Sequence, residues 1–352
     1  MSRTHIVATI GPATNSAEML ISLTRAGMSV VRLNASHNTL TWHRDTIALV
    51  KRVLPATPIL LDVPGRKIRT ADLCHEPVFG VGEVIILTTE EGHDGQRKVT
   101  IGSRRLHQDV SPGATLLADD GKLRFTVVEV TGCDLHCRAE VAGRLRSRKG
   151  INVPGVELGG ELVGDRDRDM LAFARDNGVD LVGISFIESA RHVRLVRREL
   201  PGGRPGIVAK VETPGAVLNL EEIIDSSDAI MIDRGDLSAE TDATQIGVLQ
   251  KQILSRAAGF TQPVIVATEM LDTMIERPCP TKAEITDITN AVLDGAAAVM
   301  LSGETAIGAH PVASVTTMKQ IASVAEQYSG RADISRGQSV LAPRPADDRM
   351  AG

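Results

Sequence analysis

The sequence is poor in aromatic residues and has no strong charge of either sign. It holds one Trp, one Tyr and five Phe among 352 residues, so aliphatic side chains must form the core. The formal net charge is −5. A mildly acidic chain lacks the basic surface by which nucleic-acid-binding proteins are usually identified, so we expect no nucleic-acid partner.

Cysteine is also scarce. The four cysteines, Cys74, Cys133, Cys137 and Cys279, are scattered along the chain, which fits a reducing cytoplasm better than a disulfide framework. His136 between Cys133 and Cys137 suggests a metal site. That segment alternates like a strand, however, and has no second Cys/His pair nearby, so a strand is favoured.

Long hydrophobic runs are missing as well. No stretch reaches the roughly 20 apolar residues that span a bilayer, and the first residues do not have the pattern of a signal peptide. We therefore expect a cytoplasmic protein without a membrane partner. The tripeptide Arg234-Gly235-Asp236 would then meet no adhesion receptor, and its role must lie within the fold.

Short apolar runs are what the sequence has instead. Each holds four to six aliphatic residues and ends in small or polar ones, as buried parallel strands do. Amphipathic segments that end at Gly or Pro separate most of the runs. The succession predicts an α/β fold, a (β/α)₈ TIM barrel, with a doubly wound sheet as the alternative. The eight runs are residues 5–11, 29–36, 58–65, 179–186, 206–213, 228–236, 263–270 and 297–305.

One interval interrupts this rhythm. Between Gly65 and Gly150 there are β-rich runs and turn residues but no convincing helix, which predicts a small β domain inserted after barrel strand 3. The predicted boundaries are 1–64 for the first part of the barrel, 65–150 for the insert and 151–330 for the rest of the barrel. Residues 331–352 are polar and aperiodic, so we expect a disordered tail.

Charged residues follow most of the predicted strands, at the end where barrels carry their active sites. Glu212 and Asp236 come from adjacent strands and could share a hard divalent cation, Mg²⁺ or Mn²⁺. Arg32 and Lys210 add positive charge, which suits transfer of an anionic phosphoryl group. A simple ion pair with Glu212 or Asp236 is the alternative reading of Lys210.

The tripeptide falls where the sixth strand turns into a helix. Backbone N–H groups of Gly235 and Asp236 at such a turn could hold a small carboxylate, and glycine permits close approach of the ligand. A buried anion-binding turn is therefore favoured over an exposed loop.

A series of motifs across residues 4 to about 328 resembles the pyruvate kinase family in order and spacing. They include "TIGPAT" at 9–14, "GMSVVRLNASH" at 27–37, "KGINVPG" at 149–155, "AKVETPGAV" at 209–217 and "IMIDRGDLSAE" at 230–240. The resemblance implies a kinase that transfers the phosphoryl group of phosphoenolpyruvate to ADP, giving pyruvate and ATP.

The resemblance also implies residue roles. The catalytic groups would be Lys210, Arg32 and Thr268, and substrate would be bound by Gly235, Asp236, Thr268 and Arg32. Glu212 and Asp236 would hold Mg²⁺. The nucleotide would meet Asn34, His37, Arg69, Lys149 and Pro12. The inserted domain would act as a lid, and Asp119 or Asp120 would reach the site.

Departures from the family pattern refine these expectations. The family's monovalent-cation region corresponds to Asn34, Ser36 and Asp62, but Val63 stands where the family has Thr. Lys67 replaces a Glu, and in the family a Lys there accompanies independence from K⁺. A tethered ammonium can substitute for the ion, so we predict that K⁺ is not required.

Two further departures add negative charge near the expected substrate. Asp233 replaces Ala and Glu269 replaces Gln. A like charge within a few ångströms costs on the order of 1–4 kcal/mol. Either these carboxylates face cationic partners, or the substrate differs. If it differs, the protein is a phosphotransferase of a specialised biosynthetic pathway with another small donor or acceptor. Two further alternatives do not depend on these charges. One is a lyase that handles phosphoenolpyruvate or pyruvate, because residues 209–223 also resemble the metal-binding segment of barrel aldolases, and the other is a catalytically silent binding protein.

Members of the family usually continue past the barrel into a C-terminal domain that binds effectors. The sequence ends soon after the last predicted barrel helix. We therefore expect no such effector site, and a homodimer or monomer more readily than a tetramer.

Overall fold

The computed structural model describes residues 4–119, 121–156 and 158–329. Eight parallel strands form a closed barrel in which each strand pairs with its neighbours in sequence and the eighth pairs with the first. The (β/α)₈ prediction is thereby confirmed. The barrel strands, one to eight, are His5–Thr9, Val30–Asn34, Ile59–Val63, Leu181–Ile184, Gly206–Val211, Ala229–Asp233, Val264–Ala267 and Ala298–Leu301.

The barrel strands are buried on both faces, because side chains that point inward fill the barrel and those that point outward meet helices. All five residues of strand three and of strand six are buried. The α-helices that follow the barrel strands are Ala17–Ala26, Leu40–Val53, Asp165–Asp176, Ala190–Arg198, Pro214–Leu218, Leu220–Ser226, Arg234–Glu240, Ile246–Ala257, Lys282–Leu293, Gly303–Ala306 and Pro311–Tyr328.

Local sequence signals set several helix starts. Ser16, Thr39, Ser189 and Thr281 each accept a hydrogen bond from a backbone N–H of the first turn. Such caps satisfy donors that have no partner inside the helix. Three short 3₁₀ segments, Pro201–Gly203, Ala243–Gln245 and Asp272–Ile275, connect these elements.

A glycine, Gly65, follows the end of the third barrel strand. Gly65 has φ of 56°, and a Cβ there would lie 2.3 Å from the carbonyl oxygen of Ser185. Only glycine permits this approach between the ends of strands three and four. Gly65 therefore lets the ends of strands three and four lie close together at the side of the barrel that carries the charged groups.

The chain divides into two compact units. Of the described residues, 4–65, 163–234 and 246–329 form one unit, and 66–119, 121–156, 158–162 and 235–245 form the other. The sequence rhythm did not indicate that 235–245 belongs with the β-rich unit. The described residues of that unit form nine strands: Ile68–Arg69, Val78–Phe79, Val84–Thr88, Val99–Thr100, Thr115–Ala118, Leu123–Thr131, Asp134–Ala139, Gly143–Arg144 and Gly150–Asn152.

Most strands of the β-rich unit pair in antiparallel fashion, and their burial alternates along the chain. Alternation leaves one face of a sheet for the core and the other for water. Phe125 and Leu135 are among the fully buried core residues. The interval is not free of helix, because Leu106–Asp109 forms a single turn.

Among the described residues, none of the helices has the length and apolar character needed to cross a membrane.

Candidate active site

The carboxyl ends of barrel strands two, three, five and six bring together five buried charged residues. Each is at most 5% exposed. Two are cationic and three are carboxylates, so these five side chains carry one negative charge in excess. They are Arg32, Asp62, Lys210, Glu212 and Asp233. Burying ionised groups costs free energy unless they are paired, so this concentration of charge requires an explanation.

Lys210 lies at the centre of the group. Its Nζ is 2.7 Å from Glu212 Oε1, 2.9 Å from Asp233 Oδ2 and 3.4 Å from Asp62 Oδ2. It also donates a hydrogen bond of 2.9 Å to Ser185 Oγ. The ion pair with Glu212 that the sequence offered as the alternative reading is present, but the same ammonium also contacts Asp62 and Asp233.

Arg32 is fixed beside this lysine by Asp62. Its Nε and Nη2 donate to Asp62 Oδ2 at 3.0 and 2.5 Å, and its Nη1 donates to Thr9 Oγ1 at 2.9 Å. An arginine bound in this way has a defined orientation as well as a charge. Two cations with fixed positions therefore share one end of the barrel.

Glu212 is held by the backbone of the neighbouring strand end. Its Oε2 accepts a 2.7 Å hydrogen bond from the N–H of Phe186. Phe186 is buried and has φ of 57°, a left-handed conformation that is uncommon for an aromatic residue. Strained backbone of this kind is frequent at functional sites, where the surrounding structure enforces it.

The carboxylates suit a hard divalent cation. Oxygens of Glu212 and Asp233 lie within 4.8 Å of one another, and both residues are buried. Oxygen donors at such spacing are the ligands that Mg²⁺ and Mn²⁺ prefer. The residues present therefore fit the predicted metal. Asp233 is a donor that the sequence analysis did not include.

The end of strand seven is held on two sides. Arg234 is buried and donates hydrogen bonds to the carbonyl oxygens of Thr268 and Glu269, while the side chain of Glu269 is exposed. Glu304 accepts from the N–H groups of Leu271 and Ser302 at 3.0 and 2.7 Å. Burial raises the pKa of Glu304 above its ordinary value, and the backbone hydrogen bonds oppose that rise.

The predicted nucleotide residues of the barrel lie in the loops after strands one and two. Pro12 and His37 are exposed, and Asn34 is half-buried. Asn34 Oδ1 accepts from the N–H of Ser36 at 3.0 Å, and the carbonyl of His37 contacts His43 Nε2 at 2.8 Å.

Within the β-rich unit, the predicted basic residues have definite partners. Lys67 Nζ lies 2.6 Å from both carboxylate oxygens of Asp236. Lys149 Nζ lies 2.6 Å from Asp119 Oδ1.

Two other predictions concern the same unit. Arg69 Nη1 donates to the carbonyl of Arg148 at 2.9 Å. Asp120, the other predicted lid residue, lies outside the described residues, as do residues 330–352.

Comparison with known proteins identifies the family. The model of the pyruvate kinase barrel domain matches residues 1–315. The chain belongs to the pyruvate kinase family. It is 40% identical over 334 residues to the pyruvate kinase of Mycobacterium intracellulare, across 93% of this chain and 71% of that protein.

Other relatives give the same picture. The pyruvate kinase of Thermococcus litoralis is 39% identical over 341 residues, 95% of this chain and 72% of the relative. Pyruvate kinase 2 of Synechocystis is 39% identical over 336 residues, 92% of this chain and 57% of the relative. The protein is therefore a pyruvate kinase-like phosphotransferase.

Membership of the pyruvate kinase family leaves two neighbouring residues to be explained. The sequence marked Asp233 as a departure but could not supply its partner, which is Lys210. It assigned anion binding to the backbone N–H groups of Gly235 and Asp236 and gave the Arg234 side chain no partner; that guanidinium binds backbone carbonyls and the Asp287 carboxylate. Asp233 was the visible departure in the sequence, but the roles of both residues depend on partners that are distant in sequence: Lys210 for Asp233, and Thr268 and Asp287 for Arg234.

Proposed function

We propose that the protein transfers the phosphoryl group of phosphoenolpyruvate to ADP, giving pyruvate and ATP. The observation that carries this proposal is the buried group around Lys210. Its ammonium and the Arg32 guanidinium lie at the end of the barrel where barrel enzymes bind substrates. Two fixed cations in a site of low exposure are suited to a phosphoryl group whose charge is redistributed during transfer.

Lys210 is assigned to the transferred phosphoryl group, with Arg32 as the second cation. Glu212 and Asp236 are the proposed metal ligands, and the carboxylate of Asp233 adds a donor close to Glu212. Mg²⁺ or Mn²⁺, when bound, supplies further positive charge against the phosphate oxygens. The protein's own part is to hold its two cations in place before the substrate arrives.

The other end of the substrate is assigned to the ends of strands six and seven. Gly235, Asp236 and Thr268 bind the carboxylate. Thr268 lies beside the carbon that takes a proton when enolpyruvate becomes pyruvate. Its Oγ1 is 2.6 Å from the carbonyl oxygen of Ala267, a contact in keeping with a defined hydroxyl position.

The nucleotide is assigned to Asn34, His37 and Pro12 of the barrel and to Arg69 and Lys149 of the β-rich unit. Exposed polar groups of the barrel loops are accessible to a ligand. Lys149, whose ammonium contacts Asp119, provides positive charge for the nucleotide phosphates.

Because Asp233 is paired with Lys210, its negative charge does not exclude phosphoenolpyruvate as the substrate. A carboxylate that faces Lys210 at 2.9 Å is largely neutralised, so it does not by itself require a less anionic ligand. The exposed Glu269 side chain is screened by solvent. Neither departure therefore favours the specialised biosynthetic alternative or the lyase.

Independence from K⁺ is a second part of the proposal. Val63 and Lys67, which depart from the family pattern, are the residues that support it. The ammonium of Lys67 lies 2.6 Å from both oxygens of Asp236, so a tethered cation stands beside one of the proposed metal ligands. We expect the same turnover in K⁺, Na⁺ and tetramethylammonium salts. A large stimulation by K⁺ over Na⁺ would contradict this expectation.

The deciding experiment is an assay of the purified protein with Mg²⁺ and phosphoenolpyruvate, with and without ADP. Pyruvate and ATP should form in equal amounts, and only when ADP is present. Pyruvate formed without ATP would indicate hydrolysis or lyase chemistry. Binding of phosphoenolpyruvate without turnover would point to a different acceptor.

A further inference from the structure

Two successive residues at the end of barrel strand seven adopt a strained backbone. Thr268 has φ of 69° and Glu269 has φ of 54°. Each such residue costs on the order of 1–3 kcal/mol and persists only where its surroundings enforce the conformation. Threonine is β-branched, which makes a left-handed conformation especially unfavourable.

One guanidinium meets the carbonyls of both strained residues. Arg234 donates to the Thr268 carbonyl from Nε at 3.1 Å and from Nη2 at 2.7 Å, and Nη2 also donates to the Glu269 carbonyl at 3.1 Å. Hydrogen bonds from a charged donor are stronger than those between neutral groups. The two bonds to Thr268 fix both the position and the tilt of its peptide group.

The far side of the same guanidinium is anchored to two helices. Arg234 Nη1 donates to Asp287 Oδ2 at 2.6 Å and to Gln250 Oε1 at 3.2 Å. Gln250 lies in helix Ile246–Ala257 and Asp287 in helix Lys282–Leu293. Arg234 is only 7% exposed. Its position is therefore set by the barrel framework and not by solvent.

From this geometry we propose that Arg234 is the positioning residue for Thr268. It holds the peptide groups of residues 268 and 269 in their left-handed conformation, and so directs the Thr268 hydroxyl. The inference rests on the proposed function, because it assigns Thr268 to the proton-transfer half of that reaction. Arg234 itself touches neither substrate nor metal in this role.

Lysine cannot perform the same task. Its ammonium is a point charge on a flexible chain, whereas the planar guanidinium presents several donors in fixed directions. Arg234→Lys therefore keeps the buried charge but loses the simultaneous contacts to two carbonyls and two helices. Arg234→Met removes the donors and the charge, and serves as the stronger variant.

Arg197 offers a matched control near the opposite end of strand six. Its Nη2 donates to the carbonyl of Ser226 at 2.9 Å and to Asp228 Oδ2 at 3.1 Å, so it also joins a backbone carbonyl to a carboxylate. Ser226 and Asp228 precede strand Ala229–Asp233. Arg197→Lys and Arg197→Met thus report the general effect of losing such a contact.

The test is exchange of the pyruvate methyl protons in D₂O with Mg²⁺ and ATP, followed by NMR. In this exchange a methyl C–H bond breaks, the proton passes to solvent and a C–D bond forms. A displacement of about 1 Å in a catalytic group can cost roughly 10²-fold in rate. We expect Arg234→Lys to slow exchange by about 10- to 100-fold, with a larger effect on kcat than on the KM for phosphoenolpyruvate.

Hydrogen exchange at the amides of residues 268–271 provides a readout that does not depend on catalysis. These amides should exchange faster in both Arg234 variants and at the unaltered rate in the Arg197 variants. If the Arg197 variants slow methyl exchange as much as the Arg234 variants, or if Arg234→Lys keeps full methyl exchange and unaltered amides, the inference is wrong. If the unaltered protein makes no pyruvate, the proposed function is refuted instead, while the amide measurement still tests whether Arg234 holds residues 268 and 269.

Discussion

Two Asp–Arg ion pairs of equal contact distance show how differently the two units use charge. In the barrel, Arg32 and Asp62 approach to 2.5 Å with side chains 6% and 3% exposed. In the β-rich unit, Arg148 and Asp72 approach to 2.5 Å with side chains 54% and 69% exposed. The chemistry is the same, but the free energy at stake is not, because a buried charge has no solvent to replace a lost partner.

The same contrast holds between the barrel and the inserted segment 66–162, whereas the short segment 235–245 of the same compact unit adds one buried carboxylate, Asp236. Over residues 66–119, 121–156 and 158–162, the buried polar side chains are hydroxyls and one amide: Thr70, Thr88, Thr89, Thr100 and Asn152. The barrel buries arginine, lysine and carboxylates. A stable core can evidently be formed without buried charge, so the charged end of the barrel is best explained by chemistry.

The largest expected effect follows from removing the central cation. Lys210→Met should lower phosphoryl transfer by roughly 10³-fold, since a donor aimed at developing charge is lost. It should also destabilise the protein by about 3–5 kcal/mol, because Glu212 and Asp233 lose their shared counter-ion. Steady-state assays and urea unfolding measure the two effects.

A double variant separates these effects. Lys210→Met combined with Asp233→Ala removes one cation and one carboxylate, and so leaves the excess charge of the group unchanged. It should regain much of the lost stability but none of the activity. Full activity in either variant would show that Lys210 is not in the catalytic group.

The second prediction concerns the ion pair of Arg32 and Asp62, the buried one of the two pairs compared above. Asp62→Asn leaves the Arg32 guanidinium buried without its carboxylate partner, although an amide oxygen can still accept a hydrogen bond. We expect a loss of about 3 kcal/mol or more in the free energy of unfolding. Urea unfolding at neutral pH measures it, and a loss below about 1 kcal/mol would contradict the assigned burial cost.

The third prediction concerns the unusual carboxylate. Asp233→Ala removes a negative charge 2.9 Å from the Lys210 ammonium and leaves that ammonium more available to an anion. We expect the apparent affinity for phosphoenolpyruvate to rise by about tenfold, which corresponds to roughly 1.4 kcal/mol. Initial-rate kinetics over a range of phosphoenolpyruvate concentrations would measure the change.

Asp228→Asn is the matched control for Asp233→Ala. Asp228 precedes the same strand, five residues away and so roughly 16 Å distant, and it pairs with Arg197. Its replacement should leave the affinity unchanged. An equal rise in both variants would mean that net charge, and not the contact with Lys210, governs the affinity.

The sequence predicted the barrel because its signal is local and repeated. Short aliphatic runs and helical segments alternate, and each strand end could be located from its own neighbours. Strand ends also placed Arg32, Lys210 and Glu212 at one end of the barrel, where they lie. This inference is reliable for parallel strands, because their carboxyl ends all lie at the same end of the barrel.

The contacts within the charged end could not be predicted in the same way. Lys210 faces Asp233 because Val211 pairs with Ile232, and a shift of one residue would turn the side chains to opposite faces. Arg234 reaches Thr268 and Asp287 across 34 and 53 positions of sequence. Such contacts depend on register and side-chain reach, which no single segment encodes.

The smallest expected effect comes from disrupting the ion pair of Arg148 and Asp72, the exposed one of the two pairs compared above. Arg148 lowers the pKa of Asp72 below its ordinary value, so the pair adds stability above that value and loses it as the pH falls through the lowered pKa. Because both side chains are solvated, Asp72→Asn should cost less than about 1 kcal/mol at neutral pH. Hydrogen exchange in strand Gly150–Asn152 with increasing urea measures this cost, and the variant and the unaltered protein should converge in acid. If Asp72→Asn lowered the free energy of unfolding as much as Asp62→Asn, solvent exposure would not determine how much each ion pair stabilises the protein. The contrast between the units would then need another cause.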